Sequence, residues 1–240
     1  MERKNFLRSF AIAAAAGPMV LEACKKGTSS DDTSATSTTT VAGETPTETE
    51  GPYPYVGGEI TNPLQRVDVT DGQTGVPLNL VLTVINVNSN KALVPNVRVD
   101  MWQCNKDGYY SGYANQPGIL GTQSYVGKTW LRGYQLTDAN GLAKFTTIYP
   151  GWYSGRATHI HLEIYINNVL KKTTQMAFTE SISNTVHVST LYAAHGINTT
   201  SNTADSVFGD SATDLAAEML TLTGSVAAGY TGTFTIGLAL

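Results

Sequence analysis

The sequence predicts an all-β protein, an antiparallel β-sandwich with long loops and little helix. Two observations support that expectation. From Gly51 onward the chain is built of short alternating or continuous apolar runs cut by Gly, Asn, Asp and Pro, the pattern of strands joined by turns. Helical periodicity is scarce, and strands do not alternate with helices as a parallel sheet would require.

Taken in order, strands are predicted at 78–87 (LNLVLTVINV), 96–105 (NVRVDMWQCN), 142–150 (LAKFTTIYP), 158–167 (THIHLEIYIN) and 232–240 (GTFTIGLAL). The segments DGQTG, NSNKALVPN, DANG and INN supply turns, because Gly and Asn tolerate the left-handed backbone and Asp bonds its own main chain. One helix is expected around 212–222 (ATDLAAEMLTL). No internal repeat is visible.

Residues ahead of Gly51 have a different texture. Arg3, Lys4 and Arg8 precede an apolar run from Phe10 to Leu21 that is too short to span a bilayer, so residues 1–23 are expected to be an export signal. RKNFLR resembles a twin-arginine signal with Lys4 in place of the second arginine. LEAC at 21–24 resembles a lipoprotein processing box with Cys24 as the acylated residue; a plain secretory signal followed by a free cysteine is the alternative. Residues 24–50 hold almost no apolar side chains and are expected to be a disordered tether. Together these features predict an exported domain, in the periplasm or at the cell surface of a bacterium, touching the membrane only through lipid on Cys24.

With 41% hydrophobic and 14% charged residues among 240, the composition is that of an ordinary globular protein. The net charge of -4 and the lack of any long basic run argue against nucleic acid as a partner. Two cysteines give no disulfide framework once Cys24 is lipidated, and Cys104 reads as a small buried thiol.

Chemistry centres on His159 and His161. Two residues apart on a strand they share a face, so both imidazoles can reach one metal; alone, such a pair is as well explained by two solvated side chains. Just ahead lies a tight turn with Tyr153 and Arg156 (YPGWYSGRATHIH), and upstream a strand runs into a Gly turn with Tyr109 and Tyr110 (VDMWQCNKDGYYSGY). Tyr109 is expected to point away from Tyr110. Trp102 and Trp152 read as core or pocket wall, His187 and His195 as structural or solvated, and Tyr53 as lining the mouth of the site.

These segments resemble the ligand segments of the intradiol ring-cleavage dioxygenases, the family of catechol and protocatechuate dioxygenases. Val99, Trp102, Asn105, Gly108 and Tyr110 match its first tyrosine motif, Pro150, Gly151 and Tyr153 its second, and Arg156, His159, Ile160 and His161 its histidine motif. TETEGPYPY, LRGYQLTDANGLAKFTTIYPG and GYTGTFTIGL extend the resemblance over residues 47 to 240. The gap from Tyr153 to His159 is shorter than in the best-known catechol enzymes, resembling the secreted members. Where the family often has an aromatic two residues after a Thr-Gln pair, Thr174 and Gln175 are followed by Met176 and Ala177.

The resemblance implies a catalytic domain at 51–240 with a transthyretin-like sandwich and Fe(3+) held by Tyr110, Tyr153, His159 and His161. Two phenolates are hard anionic donors suited to a ferric ion. It further implies a catechol-type substrate cleaved with O2 between its hydroxylated carbons to a cis,cis-muconate-type diacid. Tyr153 would be the leaving ligand and proton acceptor. Arg156 would stabilise negative charge developing on the ring, Gln175 would hydrogen-bond within the pocket, and a homo-oligomer is compatible with all of this. Two other classes remain: a non-catalytic transthyretin-like binding module on a lipid anchor, and a zinc or copper hydrolytic site using only the histidines.

Overall fold

A computed structural model of the chain describes residues 43–54 and 64–240. The expected export signal, Cys24 and the tether as far as residue 42 lie outside the described residues. In chain order come β1 (Pro77–Asn86), β2 (Ala92–Leu93), β3 (Arg98–Trp102), β4 (Arg132–Leu136), β5 (Leu142–Ile148), β6 (His159–Ile166), β7 (Val169–Ala177), α1 (Glu180–His187), α2 (Ala212–Glu218), β8 (Thr221–Ser225) and β9 (Gly229–Leu238).

The strands form two sheets. One is ordered β2-β1-β9-β8 with β5 also paired to β1; the other is ordered β4-β3-β6-β7. Every pairing is antiparallel except that of β1 with β9, which run parallel from Leu78↔Tyr230 to Asn86↔Leu238. The expected all-antiparallel arrangement therefore has one exception, and a parallel pair between segments so distant leaves no trace in local patterning.

Alternation explains which faces meet. In β1, Leu78, Leu80, Leu82 and Val84 point inward while Asn79, Val81 and Thr83 lie at or near the surface. They pack with Phe145, Phe234 and Ile236 of their own sheet against Val99, Met101, Ile160, Leu162 and Ile164 of the other. Each such side chain contributes about 1.5–3 kcal/mol of burial. The other face of β6 is buried too: His159, His161 and Glu163 are each at most 3% exposed. Long loops cover that face, and the histidines sit beneath them.

Three elements differ from expectation. The helix expected over 212–222 stops at Glu218; Leu220 N–H then bonds Ala177 O at 2.9 Å, and the chain continues as β8. Helix α1 is an addition, with Glu180 in its first turn and Val186 buried. The tether expected to reach Glu50 ends sooner. Thr45 N–H donates to Gly237 O at 3.0 Å and its Oγ1 accepts from Gly237 N–H at 2.8 Å; Glu48 N–H donates to Thr173 O at 2.8 Å; Lys172 reaches Glu44 at 2.6 Å. This strip is held by backbone hydrogen bonds and polar contacts rather than apolar burial, so its composition alone reads as disordered.

Candidate metal centre

Tyr110 owes its position to a turn built by Asn105, whose Oδ1 accepts from the N–H groups of Asp107 and Tyr109, each at 3.0 Å. Gly108 in that turn has φ +83°, and a Cβ there would lie 2.1 Å from the Trp152 carbonyl oxygen, so only glycine fits. Gln116 then brackets Tyr110, accepting from its N–H at 2.7 Å and donating to its carbonyl oxygen at 2.8 Å. Tyr153 comes from the neighbouring Pro-Gly turn, tied to the first loop by Gly151 N–H donating to Asn105 O at 3.1 Å. Arg132 fastens the cover, donating to Ser111 Oγ and to the carbonyls of Ser111 and Tyr53.

Four donor atoms converge above β6. Tyr110 Oη lies 3.1 Å from His161 Nε2 and 3.3 Å from His159 Nε2; Tyr153 Oη lies 3.4 Å from His159 Nε2, and the two Nε2 atoms are 3.0 Å apart. His159 Nδ1–H donates to Ala157 O at 2.6 Å, which leaves Nε2 of the neutral ring as a bare lone pair aimed into the cluster. His161 stacks flat on Trp102, with centroids 4.8 Å apart and planes 3° off parallel. Donors that share one ion at bond lengths of about 2 Å stand about 3 Å apart, the spacing seen here. Among the described residues no group of three or more His, Cys, Asp and Glu could hold a metal; this cluster is of another kind, two imidazoles and two phenols.

Burial sets the protonation of all four. It drives the Tyr110 phenol well above the usual range and the Tyr153 phenol up to about 12, with Arg156 opposing the rise. Burial, and then Arg156, pushes His159 down to about 3, while burial and then His159 push His161 well below its ordinary value. All four groups are thus neutral by themselves, and only a cation would draw off the phenolic protons.

Arg156 is not a surface residue. It is 8% exposed; its Nε donates to Asp205 at 2.9 Å and one terminal nitrogen donates to Gln175 Oε1 at 2.6 Å. Asp205 also accepts from the N–H groups of Ala157 and Val207. Gln175, directly across from His161 in the β6–β7 register, spends its other end donating to Thr49 O at 2.8 Å. Both ends of its amide are thus engaged, one by Arg156 and the other by Thr49. Ala177 packs with Phe208, whose ring centroid lies 6.4 Å from that of His159.

The remaining aromatic and sulfur side chains fall as follows. Tyr53 stacks on Tyr110 with centroids 4.9 Å apart, at the mouth as expected. Tyr109 points away and donates to Gly121 O at 2.6 Å. The Cys104 thiol is buried and pushed up to about 12 by that burial. His187 donates from Nε2 to Pro150 O at 3.3 Å, a structural role. His195 lies beside Trp152, with ring centroids 4.5 Å apart, in the wall of a cavity that also reaches Tyr53 and Tyr153. Sequence reasoning missed Gln116, Asp205 and this placement of His195.

A family model described as Dioxygenase matches residues 49–206. The fold superposes on the intradiol ring-cleavage dioxygenase of Tetranychus urticae with a TM-score of 0.70 and 26% identity, covering 81% of this chain and 94% of that one. The chain belongs to the intradiol ring-cleavage dioxygenases. The dioxygenase domain of a dioxygenase carbohydrate-binding protein fusion from Streptomyces sp. SirexAA-E superposes with a TM-score of 0.58 at 25% identity, covering 82% of this chain and 99% of that one. The protocatechuate 3,4-dioxygenase beta chain of Burkholderia cepacia is 30% identical over 123 residues, 47% of this chain. That match spans 50% of the length of the curated relative.

Proposed function

We propose that this intradiol dioxygenase holds iron(III) through Tyr110, Tyr153, His159 and His161 and cleaves a catechol-type diol with O2 between the hydroxylated carbons. The product is a cis,cis-muconate-type diacid that carries both oxygen atoms. The observation behind this is the convergence of two phenol oxygens and two imidazole nitrogens, linked by four contacts of 3.0–3.4 Å, a donor set suited to a hard trivalent ion. Iron(III) there would bind the two deprotonated hydroxyl oxygens of the diol and render the ring open to attack by O2.

The chain's own side chains divide the remaining work. His159 and His161 present fixed neutral nitrogens, the first oriented by Ala157 O and the second by Trp102. Tyr110 is fully buried and bracketed by Gln116, so it stays in place. Tyr153 is only partly buried and lines the cavity, so with the ion bound it would be the phenol with room to move aside and to take a proton from the incoming diol. Arg156, clamped by Asp205 and Gln175, lies beside Tyr153 and offers a preorganised positive charge for anionic character on the ring. Tyr53 stacks over Tyr110 and covers that ring.

Purified protein loaded with iron should be burgundy from phenolate-to-iron(III) charge transfer and should convert catechols to ultraviolet-absorbing muconates. Tyr110→Phe and Tyr153→Phe should each weaken the colour and lower turnover by at least about 10²-fold. A colourless protein with stoichiometric zinc, or ring opening beside rather than between the hydroxyls, contradicts the assignment. The export signal and Cys24 suggest an enzyme anchored by lipid outside the cytoplasm; Cys24→Ala should then move it from the membrane to the soluble fraction.

A further inference from the structure

A cavity of about 450 Å³ opens on the outer side of Tyr153, within the range that accommodates whole organic ligands. Tyr53 and Tyr153, both packed on Tyr110, bound it toward the four-donor cluster, and Trp152 and His195 also line it. A ring bound through two adjacent oxygens at the cluster would direct a substituent into this space.

One of these lining residues is a polar group with no partner among the described residues. His195 is 5% exposed, yet neither ring nitrogen makes a hydrogen bond among the described residues; Nδ1 is sealed from solvent. Nε2 lies over Gly108, where a Cβ would be 3.2 Å away and where the Trp152 carbonyl forbids one in any case. The bare glycine leaves that nitrogen uncovered toward the cavity. Trp152 holds the imidazole edge-on and is itself fixed by its Nε1–H donating to Gly196 O at 2.8 Å. Nε2 is not among the sealed atoms, so a group entering the cavity can reach it and supply the hydrogen bond that it lacks among the described residues.

Charge narrows the ligand further. Among the described residues lining the cavity, Asp107 alone is charged, and Lys106 neutralises it at 2.7 Å. Burial lowers His195, so it is a neutral imidazole near neutral pH. The wall offers no unpaired cation to a carboxylate and one uncommitted hydrogen-bonding nitrogen to a neutral polar group.

We propose that this cavity is the subsite for a ring substituent, and that His195 Nε2 selects catechols bearing a neutral hydrogen-bonding group, such as a hydroxyl, over those bearing an alkyl group or a carboxylate. The inference rests on the dioxygenase assignment above. It goes beyond that assignment by naming the substituent and the residue that reads it.

The test compares three catechols with the iron-loaded enzyme: one carrying a hydroxymethyl group, its isostere carrying an ethyl group, and one carrying a carboxylate. Both kcat/KM and the dissociation constant of the anaerobic complex are measured. Wild type should favour hydroxymethyl over ethyl by about tenfold, the size of one well-placed hydrogen bond, and should handle the carboxylate worst. His195→Leu should bring the hydroxymethyl-to-ethyl ratio to within about twofold of unity, and His195→Gln should restore part of it. The iron-phenolate spectrum of each variant reports that the centre is intact. A wild-type ratio near unity, a ratio unmoved in His195→Leu, or a carboxylate bound best overturns the proposal while leaving the dioxygenase assignment standing. If no catechol is bound or cleaved and the protein is colourless, both fall.

Discussion

Replacing Asp205 with Asn tests how the site is held. The Asp205 carboxylate is 2% exposed and meets Arg156 Nε at 2.9 Å, along with the N–H groups of Ala157 and Val207. Asn keeps one acceptor oxygen for the backbone but leaves the buried guanidinium without a counter-charge. Removing one partner of a buried pair costs about 3–5 kcal/mol. The retained oxygen places this case near 3 kcal/mol, which for a domain of this size lowers the thermal midpoint by about 6–12 °C. Activity should fall by about 10²-fold as Arg156 loses its aim, while the iron-phenolate colour persists because Asp205 touches none of the four donors. The pH dependence has a definite sign. Burial alone would raise the Asp205 carboxyl, but Arg156 and the backbone donors overcome it and hold it below its usual range. Its stabilisation is therefore complete above the unfolded value of about 4 and lost as pH falls through the lowered one. Urea unfolding of both proteins should show the gap at neutral pH closing in stronger acid. Wild-type turnover and an unchanged melt for Asp205→Asn would refute the clamp.

Three further outcomes are expected. Gly51→Ala places a Cβ 3.1 Å from His161 Cε1 at φ +73°, so it should cost about 1–2 kcal/mol and shift the visible band; an unshifted band would show that Gly51 does not seat the imidazole. Glu218 is fully buried with neither oxygen hydrogen-bonded among the described residues, and burial, then Glu48, raises it from 4.5 to about 9. Its folded form thus becomes costlier as pH climbs from 4.5 toward 9, and Glu218→Gln should be about 1–3 kcal/mol more stable than wild type at pH 7 but equal to it at pH 4; a destabilised variant at pH 7 would reverse the sign and sink this account. Removal of residues 1–42 should leave melting and turnover intact, whereas removal of residues 1–52 deletes the Thr49 carbonyl that holds Gln175 and the Gly51 contact with His161 and should abolish turnover; equal activity of the two would argue against a functional strip.

How much was legible in advance follows from the range of each interaction. β1, β5 and β6 declare themselves because inward residues alternate within a few positions. β4 and β7 carry polar side chains, such as Arg132 and Gln175, whose burial depends on loops from elsewhere, so no local pattern marks them. The four residues of the proposed centre lie in compact motifs, so their types and spacing can be read along the chain. Asp205 meets Arg156 across 49 positions, in a Thr-, Ser- and Asn-rich stretch that resembles any surface loop. Gln116 and His195 act through single contacts whose partners are set by the fold, and neither has a spacing rule to betray it.

The position of β9 bears on how the protein comes into being. It lies between β1 and β8, so the middle of that sheet is filled by residues synthesised about 150 positions after β1. Before they emerge, Leu78 and Leu80 line an open seam and Gly237 is not there to receive Thr45, which it contacts across 192 positions. Pairings of such long sequence separation make folding slow and concentrate it after translation. The strip that seats Gly51 against His161 waits on the same event, so the surroundings of that imidazole are completed only at the end of folding.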